Sequence, residues 1–188
     1  MNLLQAQRFC AWLTWREQRE GRLGPGQFYR LPADEEWSAA AGLPPEPGAT
    51  PEERHQKLPE GEPLYPWGTS QWPPAPGFGN YAGSEARDSA WPVNWLSLRE
   101  RNDSYPRVAP PGQFGENANG LFDLWGNVWE WCETRRNLVS NLGTLRGGSW
   151  VDGGYSFQFR RDFRRFEQPS RRQTDTGFRC VLELSRKP

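Results

Sequence analysis

The stretch NGLFDLWGNVWEW at residues 119–131 combines glycine–asparagine turns with closely spaced tryptophans. Two shorter stretches, RGGSW at 146–150 and GFRC at 177–180, follow it along the chain. Turn residues placed next to aromatic and apolar residues predict short strands joined by tight turns. The three stretches therefore favour a fold in which aromatic rings form the core and much of the backbone is irregular loop.

The composition excludes several classes of protein. The 188 residues include 23 basic and 23 acidic side chains, so the net charge is +0. This balance argues against a nucleic-acid coat, and no apolar run approaches the roughly 20 residues that span a bilayer. The first residues lack the basic and apolar regions of a signal peptide. We therefore expect a cytoplasmic protein that binds neither nucleic acid nor a membrane.

The cysteines and the histidine are too few for several kinds of site. Three cysteines, Cys10, Cys132 and Cys180, do not make a disulfide framework, and no spaced Cys/His set predicts zinc. The one histidine, His55, lies in a polar stretch at 51–57 that is typical of a surface loop. We expect His55 to be inert.

Local patterns predict a small number of regular elements in one domain over residues 1–188. Apolar spacing predicts a helix over 2–20, and acidic residues after Pro32 predict a short helix over 34–41. Residues 43–63 are rich in proline, glutamate and glycine, which predicts a flexible insertion. Short β segments are expected near 128–133, 144–150 and 177–184.

Four groups of residues, taken in chain order, resemble the formylglycine-generating enzyme (sulfatase-modifying factor) family. They are YRLP at 29–32 with Glu36-Trp37, YPWG at 65–68 with Gly79-Asn80, the run 119–131, and RGGSW with GFRC. The resemblance implies an α+β fold, a variant of the C-type lectin fold, with two or so helices packed on short antiparallel strands. Family members usually begin with strands before the first helix, which here starts at Asn2. The resemblance therefore leaves open a minimal fold, or a sheet that another chain or a lost segment completes.

The resemblance also implies that the family's catalytic centre is absent. In the enzymes, two cysteines after the RGGS motif bind copper and activate oxygen, and they align with Asp152 and Phe157. A carboxylate and a phenyl ring cannot form a soft bis-thiolate copper site. We expect neither copper nor sulfatase activation, and a single histidine excludes the three-histidine iron site of the related ergothioneine sulfoxide synthases.

Two structural calcium sites are implied by the same resemblance, since calcium prefers clusters of carboxylate, amide and carbonyl oxygens. The first would use the side chains of Asp123 and Glu130 with the carbonyls of Gly126 and Val128. The second would use Asn80 and Asp103 with the carbonyls of Tyr81 and Tyr105. In the alternative without metal, Asp123 and Glu130 bond to backbone N–H groups or to arginine.

Residues 151–176 correspond to the ligand-facing surface of the family. Their tyrosine, phenylalanine, arginine, glycine and serine resemble the mixture found in binding loops, and residues 146–188 carry a charge of +5 from ten basic and five acidic side chains. In the alternative, Arg160, Arg161 and Arg164 buttress the fold and the phenylalanines are core. The expected ligand contacts are Asp152, Tyr155, Phe157, Phe159, Asp162, Phe163, Phe166, Arg171 and Gln173.

These observations favour a non-catalytic module that binds a protein or other macromolecule. The RGGSW and GFR frames also resemble the variable proteins of diversity-generating retroelements, where adenine-directed mutagenesis replaces surface codons between fixed motifs. Two alternatives remain open. One is an enzyme with altered chemistry that uses Asp152, Asp162 and Glu167, and the other is an accessory or scaffolding domain of a kinase or defence system.

Overall fold

The computed structural model describes residues 1–57, 65, 77–87, 96–154 and 156–184. The helices are α1 (Leu3–Arg19), α2 (Asp34–Ala40) and α3 (Pro51–Gln56), with a 3-10 helix at Ser156–Phe159. The strands are β1 (Phe28–Arg30), β2 (Trp129–Arg135), β3 (Gly143–Arg146), β4 (Arg165–Glu167), β5 (Thr176–Gly177) and β6 (Val181–Glu183). The predicted α+β class is confirmed, and no helix among the described residues has the length and apolar character needed to cross a membrane.

The strands form two small sheets. β1 pairs with β6 in an antiparallel ladder, which brings the two ends of the chain together. The larger sheet has the order β4-β3-β2-β5, in which only the β2–β5 pair is parallel. The expected β segments are therefore confirmed. β1 and β4 are additional, and each is only three residues long, which is too short to show a periodic pattern.

Helix α1 begins as the sequence predicts. The Asn2 side chain accepts a hydrogen bond from the Gln5 amide, and the Gln5 side chain accepts one from the Asn2 amide, which together satisfy two free N–H groups. The inner face of α1 packs into a core with Trp129 and Trp131 of β2. Its Cys10 thiol lies 3.5 Å from the Cys180 thiol, so α1 also contacts the segment that precedes β6.

A second core surrounds α2. Trp37 is almost fully buried and meets Trp125 edge to face, with ring centroids 5.5 Å apart. Leu124, Tyr81 and Phe159 complete the same cluster. The sequence run 119–131 therefore contributes rings to both cores, Trp125 to this one and Trp129 and Trp131 to the other.

Part of the proline-rich insertion is helical. Thr50 accepts a hydrogen bond from the Glu53 amide at the start of α3, and Pro51 occupies the first helical position. Arg54 is buried, and His55 meets the rings of Phe163 and Phe166 at 5.2 and 5.9 Å. The expectation of a polar surface loop at 51–57 is wrong, because these contacts order the segment. Residues 58–63 lie outside the described residues.

Candidate recognition surface and cation sites

A buried carboxylate, Asp34, joins the elements behind the candidate surface. It is fully buried at the start of α2 and accepts hydrogen bonds from three arginines. Arg54 of α3 binds it at 3.0 Å, Arg146 of β3 at 2.6 Å and Arg164, just before β4, at 2.9 Å. Burial alone would raise the pKa of Asp34, but Arg146 and Arg164 outweigh it and hold the pKa below its ordinary value.

Arg146 is the first residue of the RGGSW motif, and its contacts explain why an arginine stands at this position. Its guanidinium lies 4.4 Å from the centre of the Trp37 ring and donates to Ser38 Oγ and to the Arg161 carbonyl. Gly147 and Gly148 follow with positive φ angles of 97° and 78°, which favour glycine. The motif therefore turns the chain sharply from β3 into the candidate surface.

Asp152, which the family resemblance places at the first catalytic cysteine, stabilises this turn. Its Oδ2 accepts hydrogen bonds from the Ser149 amide at 2.9 Å and from the Ser149 hydroxyl at 2.8 Å. Its carbonyl accepts from the Ala82 amide, which fixes the turn to a neighbouring loop. Asp152 is buried, and that burial raises its pKa to about 6. It therefore contributes to the turn and offers little surface to a macromolecule.

The second such position, Phe157, belongs to a chain of aromatic rings that we call the ring surface: Phe157, Phe163, His55 and Phe166. Phe157 is 48% exposed, and its ring lies 5.4 Å from that of Phe163. His55 links Phe163 to Phe166, and the Arg136 guanidinium lies 5.3 Å from the Phe166 ring centre. The ring surface thus combines the C-terminal segment with α3.

The structure divides the remaining predicted contacts by burial. Phe159 is 1% exposed and packs against Tyr81 at 4.6 Å, and Asp162 is 3% exposed and pairs with Arg160. Both therefore stabilise the fold and are not ligand contacts. The alternative interpretation of this segment expects this for Phe159, whereas for Asp162 the prediction of a ligand contact is wrong because the side chain is buried in an ion pair. Arg171 is exposed, Gln173 is partly exposed, and Tyr155 lies outside the described residues.

Most arginines of this region are paired inside the molecule. Arg160 binds Asp162, Arg165 binds Asp175, and Arg179 binds Glu130. Arg146 and Arg164 bind Asp34, as described above. Arg146, Arg164 and Arg179 pair with Asp34 and Glu130, which lie outside residues 146–188, so the charge of +5 counted from the sequence overstates the positive charge of the surface.

His55 is the functional candidate that the sequence did not indicate. Burial, and then the charge of Arg164, lower its pKa below the ordinary value, so the ring is neutral near pH 7. Its Nδ1 is buried without a hydrogen-bond partner among the described residues. A periodic sequence pattern could not predict the contact between His55 and Phe163. The contact depends on the neighbouring Arg54, which is buried through its ion pair with Asp34.

The two carboxylates of the first predicted calcium site already have protein hydrogen-bond partners. Asp123 accepts from the amides of Gly112 and Phe114, and Glu130 binds Arg179 at 2.6 Å and the Trp37 indole N–H at 2.8 Å. This is the arrangement without metal that the sequence left open. A cation beside Glu130 would face the Arg179 guanidinium, so the site as arranged does not fit calcium.

The second predicted site fits a cation better. The Asn80 amide nitrogen donates to the Arg107 carbonyl and to Asn127 Oδ1, and its Oδ1 is buried without a partner among the described residues. Asp103 forms no ion pair within the described part of the chain, and its two oxygens accept only from the amides of Tyr81 and Tyr105. No three His, Cys, Asp or Glu side chains cluster in the ranges described, so any ion there would also need carbonyl ligands.

We expect calcium to stabilise the protein through the second site only. Adding calcium to chelator-treated protein should raise the melting temperature, since a ligand at 100 times its Kd contributes about 2.7 kcal/mol. Asp103→Asn should abolish the shift. The matched Glu130→Gln variant should melt lower overall but keep it. Scanning calorimetry with and without calcium measures both, and a shift lost only in Glu130→Gln, or absent from the wild type, would contradict this assignment.

Comparison with known proteins assigns the chain to a family. Residues 2–184 match the family model "Sulfatase-modifying factor enzyme 1-like domain". The bovine protein "Inactive C-alpha-formylglycine-generating enzyme 2" is 28% identical over 190 residues, which cover 97% of this chain and 49% of that protein. The formylglycine-generating enzyme of Thermomonospora curvata is 27% identical over 82% of this chain and 49% of its own length.

A solved structure shows the same fold. PvdO from Pseudomonas aeruginosa superposes with a TM-score of 0.64 at 21% identity, covering 98% of this chain and 60% of PvdO. The chain spans about half the length of the curated relatives described above. The match of the family model over nearly all of the sequence agrees with the RGGSW, GFRC and 119–131 motifs. The chain belongs to the formylglycine-generating enzyme (sulfatase-modifying factor) family.

Proposed function

We propose that this protein is a non-catalytic member of its family that binds a macromolecular ligand, most simply a protein, through the ring surface. The main support for this proposal is the identity of the residues at the two positions where the enzymes have their copper-binding cysteines. Asp152 is a buried acceptor for the Ser149 amide and hydroxyl, and Phe157 is a half-exposed ring. Neither side chain can supply a thiolate to copper, so the oxygen chemistry of the enzymes has no ligands here.

Binding is supported by the shape and chemistry of the ring surface. Aromatic rings provide large, stiff contact areas at low entropic cost, and they dominate the energetics of many interfaces. Phe157 is already supported from behind by Phe163, which in turn contacts His55 and Trp129. The ring that would bury most surface in a complex is therefore held in place before the ligand arrives, which reduces the cost of association.

The alternative of an altered enzyme has less support. Its three carboxylates have different partners: Asp152 caps a turn, Asp162 binds Arg160, and Glu167 lies 3.2 Å from Arg171. A general acid and base act on one substrate from one pocket, with geometry that brings both within reach of it. Two relatives, one bovine and one murine, are named as inactive, and this supports a role without catalysis.

Replacing one exposed ring tests the binding role. We expect Phe157→Ala to keep the melting temperature within about 2 °C, because the side chain is half exposed, and to weaken ligand capture at least tenfold, since central interface aromatics are worth about 2 kcal/mol. The control is Leu138→Ala, which removes a 95% exposed apolar side chain from the β2–β3 loop. Quantitative mass spectrometry of proteins captured from the source organism's lysate measures the effect. Equal capture by Phe157→Ala and wild type would contradict the assignment.

A diversified surface is a narrower form of the same proposal, and burial limits where it can vary. Gly153 lies so close to the loop at Ala82 that an added Cβ would come within 2.6 Å of the Ala82 carbonyl oxygen. Buried Phe159 and Arg164 are equally constrained. Variation would have to fall at exposed positions such as Phe157 and Arg171.

Sequencing the 3′ end of the gene across many cells of its natural population tests this narrower form. If the surface is diversified, codons for exposed positions should vary while those for Gly153, Phe159 and Arg164 stay fixed, because changes there would break the fold. A uniform sequence would remove diversification and leave a fixed ligand. Variation spread equally over buried and exposed codons would contradict a surface diversified at its exposed positions.

A further inference from the structure

The outer face of α1 carries a group of exposed rings, none of which belongs to the ring surface. We call it the α1 surface, formed by Phe9, Trp12, Trp15, Arg16, Arg19 and Phe28. Each of its four aromatic side chains is at least 40% exposed. Monomeric soluble proteins seldom leave so many large rings together in water, and such patches usually mark a contact site.

Arginines lie directly on these rings. The Arg16 guanidinium lies 4.7 Å from the Trp12 ring centre, and that of Arg19 lies 4.6 Å from the Trp15 ring centre. Phe9 contacts Trp12 at 5.3 Å. Tryptophan and arginine are the residues most enriched among those that dominate protein–protein binding.

The charge of this face indicates the chemistry of its partner. Residues 3–22 contain four arginines and two glutamates, which gives +2. Both glutamates are occupied, because Glu17 binds Arg16 and Arg22 while Glu20 binds Arg22. Within the described residues Arg8 and Arg19 form no ion pair, so their charge is available to an acidic partner. A second copy of the same face would instead be repelled.

A groove beside the helix favours a protein over a lipid surface. It has a volume of about 490 Å³ and runs between α1 and β1, with Trp15 and Phe28 among its lining residues. Cys10, Ala11 and Leu31 add apolar lining, while Arg30 and Glu133 add one charge of each sign, so the groove itself offers an apolar side chain no net charge to oppose. A concave groove of this size can receive a large side chain, whereas the surface of a bilayer has no projection to fill it.

We propose that the α1 surface docks an acidic segment of a partner protein, with one large apolar or aromatic side chain of that segment in the groove. The acidic groups of the segment pair with Arg8 and Arg19, and its apolar groups cover Trp12 and Trp15. This site is separate from the ring surface and does not depend on the function proposed for it.

The test uses the full chain and two labelled random copolymers, one of glutamate and tyrosine and one of lysine and tyrosine. Fluorescence anisotropy should show saturable binding of the acidic copolymer that weakens with added salt, and at least tenfold weaker binding of the basic one. The Trp12→Ala/Trp15→Ala variant should lose at least tenfold in affinity for the acidic copolymer. Leu138→Ala, the control, should bind like the wild type.

A second variant guards against misfolding of the first. Arg8→Glu/Arg19→Glu reverses two exposed charges, removes only the Arg19–Trp15 contact among the residues described, and should also lose at least tenfold, with an unchanged circular dichroism spectrum. Failure of the acidic copolymer to bind, or wild-type affinity in either variant, would overturn the proposal. Sedimentation with phosphatidylcholine–phosphatidylglycerol vesicles in preference to the copolymer would assign the face to lipid. A dimer that Trp12→Ala/Trp15→Ala dissociates would assign it to a second copy.

Discussion

The fold depends on one buried carboxylate with three guanidinium partners. Asp34 lies where α2 begins, and its arginines come from α3, from β3 and from the segment before β4. Breaking a buried ion pair by removing one partner usually costs about 3–5 kcal/mol, because the remaining charge has neither water nor a counter-ion. Short helices and three-residue strands provide few regular hydrogen bonds of their own, so these connections decide how the elements are arranged.

The same network positions the candidate ring surface. Arg146 holds the RGGSW turn against α2, and Arg54 holds α3, so His55 comes to lie between Phe163 and Phe166. Glu46, from the proline-rich segment, binds Arg164 at 2.6 Å and adds another connection to the same point. The arginines of the C-terminal region are thus used mainly inside the molecule. Phe157, exposed and backed by the partly buried rings, is left as the main element of the surface on which the proposed binding rests.

The sequence predicts the parts of this structure that depend on local pattern. The helix over residues 2–20 follows from the spacing of its apolar residues, and RGGSW with GFRC indicates the family. The Thr50 cap and Pro51 are a local start signal for α3 that the prediction of a surface loop did not use, whereas the docking of α3 depends on the pairing of Arg54 with Asp34, 20 residues earlier. For the same reason composition could not separate Phe157 from Phe159, which are two residues apart but exposed and buried, respectively. The ion pair between Glu130 and Arg179 likewise joins residues far apart in the sequence, so local pattern could not predict it.

Hydrogen–deuterium exchange of the isosteric Asp34→Asn variant tests the central role of this carboxylate most directly. Protection should fall together at 51–56, 143–146 and 165–167, since all three segments lose the same partner. Helix α1, which packs into the other core, should keep its protection. Glu35→Gln, which removes an exposed partner of Arg54, should change little. A loss of protection confined to α2, or an equal loss in α1, would contradict the central role of Asp34.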